Sequence, residues 1–313
     1  MSAVAPADPA RLIVIGGATG TGKSALALDV AEALRDTRAR PAEIVNADAM
    51  QLYRDMDVGT AKLRVDERRG IPHHLLDVLD PAEEASVAAY QPVARAAIEA
   101  IQSRGATPIL VGGSGLYISS VIHDFAFPPR DEALRAELEE ELARLGPLAL
   151  HARLVELDPL AGAGVDPANG RRVVRALEVV TIAGSFTPGL PEGRAPWQEA
   201  VVVDLVLERG LLVARLDARV EQMWRDGIVE EASALRDRLG VTASRAIGYA
   251  QALAQLAGTM STEEAIAETQ RLTRRYARRQ VSWFRRYAEA LRVEADDPRR
   301  VDRVLAAASM GED

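Results

Sequence analysis

The stretch Leu12-Ile13-Val14-Ile15-Gly16-Gly17-Ala18-Thr19-Gly20-Thr21-Gly22-Lys23-Ser24 decides the fold of this protein. It opens with consecutive apolar residues, a pattern typical of a strand that is buried on both faces. The glycine-rich part matches the spacing G-x-x-x-x-G-K-[ST], and a helical pattern follows it. A strand, a glycine-rich turn and a helix in this order predict a loop whose backbone amides surround a polyphosphate.

Short apolar runs recur on both sides of this loop. Residues 43–48 and 108–111 form two more such runs, and a further one lies at 200–207. Helical patterns at 24–34 and 86–103 separate the first three runs. This alternation predicts an α/β fold with a doubly wound parallel sheet, of the P-loop NTPase type.

The pattern changes near Phe127-Pro128-Pro129, where residues 131–182 become helical with glutamate-rich faces. A Gly/Pro-rich loop follows before the strand pattern returns, and residues 211–287 are again mostly helical. We therefore expect an α/β core made of residues 1–126 and 200–313, with a helical C-terminal region. Residues 127–199 are expected to form a helical insertion domain.

Composition limits the class of protein. The 313 residues carry a net charge of −8 and include no cysteine, which excludes disulfides, zinc–thiolate sites and a cysteine nucleophile. The chain has no apolar run of about 18 residues and no basic start followed by an apolar stretch, so neither a membrane helix nor a secretory signal is expected. These features predict a cytoplasmic protein with no membrane partner.

Lys23 and Ser24 are the chemically active residues of the glycine-rich loop. The lysine is suited to neutralise terminal phosphates, and the serine hydroxyl is placed to hold Mg²⁺. Lys23 and Lys62 are the only lysines of the chain, whereas 36 of the 38 basic residues are arginine. The loop by itself leaves open ATP, GTP or another pyrophosphate, and a small-molecule kinase is one alternative.

Asp48 and Ser114 follow the second and third apolar runs. Ligands bind beyond the carboxyl ends of the strands in open α/β sheets, so both side chains should face the same crevice as the glycine-rich loop. Asp48 could ligate Mg²⁺, accept a proton from a nucleophile or cap the segment that follows it, and the sequence does not choose between these roles. For Ser114, a helix cap is the default interpretation, with substrate contact as the alternative.

The net charge hides a strongly basic segment. Seven arginines lie between residues 271 and 286, with no acidic residue among them: Arg271, Arg274, Arg275, Arg278, Arg279, Arg285 and Arg286. Apolar and aromatic residues recur there at helical spacing and predict one buried stripe: Leu272, Tyr276, Trp283, Phe284 and Tyr287. Like charges four residues apart repel, and a polyanion along the helix would relieve that repulsion. The alternative is a solvated helix with salt-bridge partners elsewhere.

Taken in order, the motifs of the chain resemble those of the bacterial tRNA dimethylallyltransferase family. The resemblance covers roughly residues 12–287 and rests on eight motifs in sequence order: Gly17 to Ser24, Asp48-Ala49-Met50-Gln51-Leu52-Tyr53, Val58-Gly59-Thr60-Ala61-Lys62, Pro72-His73-His74-Leu75-Leu76-Asp77, Val111-Gly112-Gly113-Ser114-Gly115-Leu116-Tyr117, Arg171-Arg172-Val173-Val174-Arg175-Ala176-Leu177-Glu178-Val179, Ala246-Ile247-Gly248-Tyr249 and Arg278-Arg279-Gln280-Val281-Ser282-Trp283-Phe284-Arg285.

The resemblance implies a transferase that moves a dimethylallyl group from dimethylallyl pyrophosphate to N6 of adenosine 37 in tRNA, with Mg²⁺ as cofactor. It implies catalytic roles for Asp48, Ser114 and Lys23. It places the pyrophosphate of the donor on Gly17, Ala18, Thr19, Gly20, Thr21, Gly22, Lys23, Ser24 and Arg245, with Mg²⁺ on Ser24.

For tRNA, the resemblance implies contacts with the anticodon arm. The residues concerned are Asp48, Ala49, Met50, Gln51, Ser114, Arg135, Arg171, Arg172, Val173, Val174, Arg175, Arg278, Arg279, Gln280 and Arg285. Three positions depart from the family pattern: Ala18 stands where proline is usual, Ala49 where serine is usual and Ser114 where threonine is usual. A monomer is expected.

Two further features are open. Adjacent histidines point in different directions in most conformations, so we interpret His73 and His74 as structural residues without a metal. Lys62 could reach phosphate or lie on the surface. The rivals to tRNA modification are a small-molecule kinase, a transferase that prenylates free adenine nucleotides, and an RNA-binding regulatory protein with an inactive phosphate loop.

Overall fold

The computed structural model describes residues 10–38, 40–125, 127–189 and 195–310. The described residues form two compact units, which divide between 123 and 124 and between 195 and 196: the middle segment is one unit, and the segments before and after it together form the other. The first unit contains one six-stranded sheet. Its strands are β1 (Leu12–Gly17), β2 (Ala42–Asn46), β3 (His73–His74), β4 (Thr107–Val111), β5 (Ala200–Val206) and β6 (Leu291–Glu294).

Every strand of the sheet is parallel to its neighbours, in the order β3-β2-β4-β1-β5-β6. The register pairs Ile13 of β1 with Ile109 of β4 and with Val201 of β5. The central strands β1, β2 and β4 are buried along their whole length, because helices cover both faces of a parallel sheet. The predicted fold class is confirmed, and the edge strands β3 and β6 are additions that their short sequences did not reveal.

The helices of the first unit lie on both faces of the sheet. One face packs against the first and last helices, and the other packs against the two helices that flank β4. The helices are α1 (Lys23–Arg38), α2 (Val87–Ser103), α3 (Gly115–Ile122), α8 (Arg209–Arg225), α9 (Ile228–Leu235), α10 (Tyr249–Leu256), α11 (Thr262–Phe284) and α12 (Arg300–Ser309). Among the residues described, no helix is both long and apolar enough to cross a membrane.

The second unit is helical. Its elements are α4 (Glu132–Leu145), α5 (Pro147–Leu157), α6 (Pro159–Gly164) and α7 (Gly170–Ala183). Leu138, Leu150, Leu154 and Leu177 are buried in a core of its own. Its ends at 124 and 195 differ by three or four residues from the insertion of 127–199 expected from the sequence, because a β-bridge pairs His123 with Pro196 in the first unit.

Candidate active site

A cavity of about 250 Å³ opens at the carboxyl ends of β1, β2 and β4. This is the edge where a doubly wound sheet binds its ligands. The glycine-rich loop and α1 line one part of the cavity, and residues that follow β2 and β4 line another. Arg215 and Arg219 of α8 complete its polar lining. The site therefore assembles from segments far apart in the sequence.

The glycine-rich loop has the conformation that its sequence predicts. Gly20 and Gly22 have φ angles of +84° and +98°, which L side chains rarely adopt. Thr21 Oγ1 and Lys23 Nζ both donate to Ala18 O, at 2.9 and 2.8 Å. Thr19, Gly20, Gly22, Lys23 and Ser24 line the cavity, whereas Gly17 ends β1 and the side chains of Ala18 and Thr21 are buried within the loop.

Lys23 has an unusual electrostatic environment. Burial is the main reason why its pKa is lowered to about 8; the carboxylate of Asp48 opposes this effect, and the guanidinium of Arg219 acts in the same direction as burial. A lysine in such a position is ready to gain stabilisation from an anion, because a bound phosphate would favour its charged form. The pKa thus marks Lys23 as a functional candidate.

Two arginines of α8 face the loop, and the sequence analysis missed both. Arg219 Nη2 donates to Thr19 Oγ1 at 2.8 Å, and Arg215 Nη1 donates to Gly20 O at 3.3 Å. Arg219 Nε is buried without a hydrogen-bond partner among the described residues. Their spacing of four residues on the helix after β5 was the available signal. A buried guanidinium with a free donor is suited to bind an anion.

The arginine expected to bind the donor phosphate is elsewhere. Arg245 is exposed at the end of a 3₁₀ turn, Ala243–Arg245, and lies outside the lining of the cavity. Its role in binding the donor phosphate stays a prediction, whereas Arg215 and Arg219 lie beside the glycine-rich loop. The order of motifs along the chain does not say which arginine the fold brings to this loop.

Asp48 caps a short helix and also lines the cavity, while its role as a proton acceptor stays a prediction. Its Oδ1 accepts from Met50 N at 3.0 Å and so caps the short 3₁₀ helix Ala49–Leu52. It also lines the cavity, and its negative charge acts on both Lys23 and Arg219. A capping carboxylate is held in a fixed orientation, which suits a group that must meet a substrate proton.

Three phenols surround Asp48. Burial and the Asp48 charge together raise the pKa values of Tyr90, Tyr117 and Tyr276, that of Tyr276 to about 12. These hydroxyls therefore stay protonated. Tyr90 donates to Asn46 O at 2.7 Å, and Asn46 Oδ1 in turn accepts from Asp48 N at 2.9 Å. Asn46 is thus bonded both to Tyr90 and to the backbone of Asp48.

Ser114 does not cap α3 through its side chain, so the default interpretation of this residue is wrong. Its Oγ instead accepts from Ala49 N at 3.2 Å, which joins the end of β4 to the residue after Asp48. Tyr276 lies beside the same hydroxyl. Ala49, Met50 and Gln51 are partly buried, and Gln51 also lines the cavity.

Gln280 of α11 binds the loops rather than facing solvent. Its Oε1 accepts from Thr19 N, and its Nε2 donates to Gly113 O, each at 2.8 Å. The side chain is buried in this structure, and its expected contact with tRNA stays a prediction. The buried stripe of α11 differs from the expected one in all but Phe284. The expected residues Leu272, Tyr276, Trp283 and Tyr287 are only partly buried, and the buried residues of the helix are Ala265, Thr269, Thr273, Ala277, Gln280 and Phe284.

The arginines of α11 divide into two groups. Arg271 and Arg274 form ion pairs with Glu268 and Asp217. The remaining ones are exposed and have no carboxylate within 4 Å in the described part of the chain: Arg275, Arg278, Arg279, Arg285 and Arg286. Each arginine of this second group carries one positive charge, so together they form a cationic surface that a polyanion could bind.

In the helical unit, two of the arginines predicted to contact tRNA form ion pairs with a buried carboxylate. Arg135 and Arg175 both donate to Glu178 Oε2, at 2.5 and 2.6 Å, and the Glu178 side chain is fully buried. Arg175 also donates to the carbonyls of Pro128 and Pro129. Both guanidinium groups are therefore engaged within the unit, and their expected contact with tRNA stays a prediction. Val173 and Val174 are buried in its core, so their side chains cannot touch RNA, whereas Arg171 and Arg172 are exposed.

The histidine pair and Lys62 also have defined places. His74 Nε2 bonds to Glu43 at 2.6 Å, and His73 lines the cavity while its Nδ1 bonds to Ile71 O at 2.8 Å. The described residues contain no group of three or more His, Cys, Asp or Glu that could hold a metal ion. Lys62 is buried, with an ammonium that bonds to Asp57 and Asp77. It is thus a structural residue of a loop beside the cavity.

The fold and this cavity define the class of protein: a P-loop α/β protein with a cavity lined by cationic side chains and a carboxylate, and with an exposed cationic helix. Comparison with known proteins identifies the family within that class. The model of the IPP transferase family matches residues 51–287. The chain belongs to this family, and its assignment as a transferase of the tRNA dimethylallyltransferase type is confirmed.

Individual relatives agree. The chain is 59% identical to the tRNA dimethylallyltransferase of Clavibacter sepedonicus, over 95% of this chain and 97% of that one. It is 54% identical to the enzyme of the same name from Kineococcus radiotolerans, over 88% of each chain. The fold is similar to the crystal structure of a tRNA isopentenylpyrophosphate transferase from Bacillus halodurans, with 36% identity and a TM-score of 0.69 over 97% of this chain and 100% of that one. It is also similar to a eukaryotic dimethylallyltransferase acting on tRNA, with 25% identity and a TM-score of 0.75 over 96% of this chain and 78% of that one.

Proposed function

We propose that this protein transfers the dimethylallyl group of dimethylallyl pyrophosphate to N6 of adenosine 37 in tRNA, releasing pyrophosphate. The observation that carries the proposal is the polarity of the cavity. Lys23, Arg215 and Arg219 are gathered at its phosphate-loop side, and Asp48 stands at the edge of the same space. Its remaining lining includes apolar side chains that suit a five-carbon group: Ala27, Ile44, Leu63, Leu76 and Val111.

The leaving group explains the cations. As the bond between C1 of the donor and the bridging oxygen breaks, its electron pair passes to the pyrophosphate. Lys23, the loop amides and the free donor of Arg219 would stabilise that growing charge, because fixed donors in a partly dry site need little reorganisation. This makes the loop a site for pyrophosphate departure rather than phosphoryl transfer.

The acceptor explains Asp48. A carboxylate at the cavity edge would accept a hydrogen bond from the adenine amine and take its proton as the new C–N bond forms. Its capping bond to Met50 N keeps the carboxylate oriented while it waits for substrate. The target adenine must leave its stack to reach this position.

The residues present fit a bound Mg²⁺. Ser24 is exposed at the start of α1 and lines the cavity, and no acidic cluster is available in the described residues to form an all-protein cage. Mg²⁺ accepts such sites, where few protein ligands are combined with phosphate oxygens and water. When bound, the ion would add positive charge next to the pyrophosphate. Ser24 would hold it, and Lys23 and Arg219 would bind the remaining oxygens.

The exposed arginines of α11 supply an RNA surface. Their positive charges are not neutralised by carboxylates within the described residues, whereas the chain as a whole carries −8. Phosphate contacts of this kind fix the position of a nucleic acid without reading its sequence. Arg278, Arg279 and Arg285 are proposed to bind the backbone of the anticodon arm.

One assay tests the proposal. Purified protein is incubated with Mg²⁺, dimethylallyl pyrophosphate and unmodified tRNA carrying adenosine at position 37, and the digested nucleosides are weighed by mass spectrometry. We expect adenosine that is heavier by one five-carbon unit. Product formed equally from free AMP would contradict the tRNA specificity, and consumption of ATP in place of the prenyl donor would favour a kinase.

Two variants test the role of Asp48. Asp48→Ala removes both the carboxylate and the cap, whereas Asp48→Asn keeps an oxygen that can accept from Met50 N. Both should lower turnover about 10²- to 10⁴-fold, since general-base catalysis contributes that much. Binding of tRNA should be nearly unchanged in a filter-binding assay. Normal turnover of Asp48→Asn at saturating tRNA would contradict the assignment.

A further inference from the structure

One wall of the cavity is a loop of residues 57–63, here called the wall loop. Thr60, Ala61 and Leu63 line the cavity, and none of these three side chains carries a charge or is a typical metal ligand. Ala61 has a φ angle of +52°, an unfavourable conformation for a residue other than glycine. Such strain persists only where surrounding contacts hold the backbone in place. Side chains from outside the wall loop make these contacts.

A single carboxylate binds three consecutive amides of the wall loop. Glu231 Oε2 accepts from Asp57 N at 3.1 Å and from Val58 N at 2.8 Å, and Glu231 Oε1 accepts from Gly59 N at 3.2 Å. Glu231 belongs to α9 and lies outside the lining of the cavity. Hydrogen bonds from backbone amides to a charged acceptor are about twice as strong as neutral ones. This carboxylate therefore fixes the start of the loop from outside the site.

Tyr249 strengthens that attachment in two ways. Its hydroxyl donates to Glu231 Oε1, and burial together with the Glu231 charge raises its pKa, so the proton stays on the phenol. Its ring also packs against Gly59, where an added Cβ would lie 2.4 Å from a ring carbon. Tyr249 is itself fully buried beside Met56. The ring thus supports the loop where only glycine fits.

The far end of the wall loop is held by other groups. Lys62 Nζ donates to Tyr53 O at 2.8 Å, to Asp57 Oδ1 at 2.6 Å and to Asp77 Oδ1 at 2.5 Å. Gln51 Nε2 donates to Thr60 O at 3.1 Å. Both ends of the loop are therefore fixed by buried or half-buried side chains. A surface loop with no task beyond connection does not need this many restraints.

We propose that Glu231 and Tyr249 are positioning residues for prenyl transfer, which hold the wall loop closed over the donor and so exclude water from its reacting carbon. This inference rests on the proposed function. An allylic pyrophosphate that ionises beside water reacts with it: the C1–O bond breaks, pyrophosphate leaves with the electron pair, and a water oxygen bonds to the five-carbon group and loses a proton to solvent. The products are a five-carbon alcohol and pyrophosphate. A closed, dry wall suppresses this side reaction.

The test measures how each consumed donor is partitioned. Full-length wild-type protein, Glu231→Gln and Tyr249→Phe are incubated with Mg²⁺, dimethylallyl pyrophosphate and tRNA, and the ratio of five-carbon alcohol to prenylated tRNA is determined. We expect Glu231→Gln to raise the ratio about tenfold, which corresponds to about 1.4 kcal/mol of lost discrimination. Tyr249→Phe should raise it less, because the three amide bonds to Glu231 remain. Glu230→Gln is the matched control, since Glu230 is the exposed neighbour on α9, and it should leave the ratio unchanged.

A purely structural role would lower the rate without moving the ratio, and that result with Glu231→Gln would overturn the inference. Should this variant fail to fold, Gly59→Ala displaces the same loop against the Tyr249 ring while Glu231 stays intact, and an unchanged ratio in that variant would equally overturn it. Wild-type protein that prenylates no tRNA would instead overturn the proposed function.

Discussion

Arg175 on α7 and Arg278 on α11 have similar sequence surroundings, since each follows another arginine by four residues on a basic helical segment. Their environments in the structure are opposite. Arg175 shares the buried carboxylate of Glu178 with Arg135, whereas Arg278 is exposed with no carboxylate within 4 Å among the described residues. Arginine spacing on a helix therefore does not indicate an RNA contact. What matters is whether the fold supplies a partner for the charge.

The largest effect is expected when Glu178, the ion-pair partner of Arg175 and Arg135, loses its charge. Glu178→Gln leaves two guanidinium groups in a site built for a carboxylate. Deleting one partner of a buried pair costs about 3–5 kcal/mol, so we expect a loss of that order in the free energy of unfolding. Denaturant unfolding followed by circular dichroism measures it. Glu139→Gln is the control, because Glu139 is exposed and its carboxylate makes only a long contact of 4.0 Å with Arg135. An equal loss in both variants would contradict a special role for Glu178.

The second test acts on the exposed member. Arg278→Gln combined with Arg279→Gln should weaken tRNA binding and reduce the slope of log affinity against log salt by about 1.4 to 1.8, if each residue neutralises one phosphate. Binding is titrated at several salt concentrations. Arg135→Gln is the comparison variant and should leave the slope unchanged. A slope that stays at its wild-type value in the double variant would contradict phosphate contact by α11.

A third test concerns Lys23, whose pKa is set mainly by burial although the carboxylate of Asp48 acts on it. The pKa of Lys23 is about 8 before an anion binds, and a bound anion favours the ammonium and raises that value. Affinity for pyrophosphate should therefore be full below pH 8 and fall up to tenfold per pH unit as the pH rises through about 8. Calorimetric titration of pyrophosphate measures this. Lys23→Arg retains its charge over this range and provides the control, and parallel curves for the two proteins would show that Lys23 is not responsible.

The smallest expected effect concerns the arginines of α7 that the structure leaves exposed. Arg171 and Arg172 resemble Arg278 in exposure and Arg175 in location. Replacing both by glutamine should weaken tRNA binding only a few-fold, in keeping with about 1 kcal/mol or less for exposed charge contacts. The unfolding free energy should not change, in contrast to Glu178→Gln. A stability loss without any change in affinity would place them with Arg175 instead.

The sequence predicted the parts of the molecule that local patterns encode. The apolar run before Gly16-Gly17 gave β1, the glycine spacing gave the phosphate loop, and the helical periodicity of residues 131–182 gave the helical unit. It also placed Lys23 and Asp48 at one edge of the sheet, because both follow buried parallel strands. The ordered motifs were sufficient to recognise the family.

Local patterns failed where a side chain's role depends on what packs against it. Arg219 has no motif that distinguishes it from Arg245, yet α8 brings only the former to the glycine-rich loop. Gln280 lies among exposed arginines in the sequence, yet its amide joins Thr19 to Gly113. Ser114 has the position of a helix cap, yet its hydroxyl bonds to Ala49. Each contact spans at least 65 residues, beyond the reach of helical or strand periodicity.

The sequence by itself determined the α/β class, the phosphate loop and the candidates Lys23 and Asp48, because backbone geometry and burial periodicity follow from neighbouring residues. Only the tertiary structure decided which charges are neutralised and which remain free. A carboxylate such as Glu178 or Glu231 accepts hydrogen bonds from whatever donors the fold brings within reach. That choice depends on long-range packing, which is why identical arginines serve as core supports in one helix and face solvent in another.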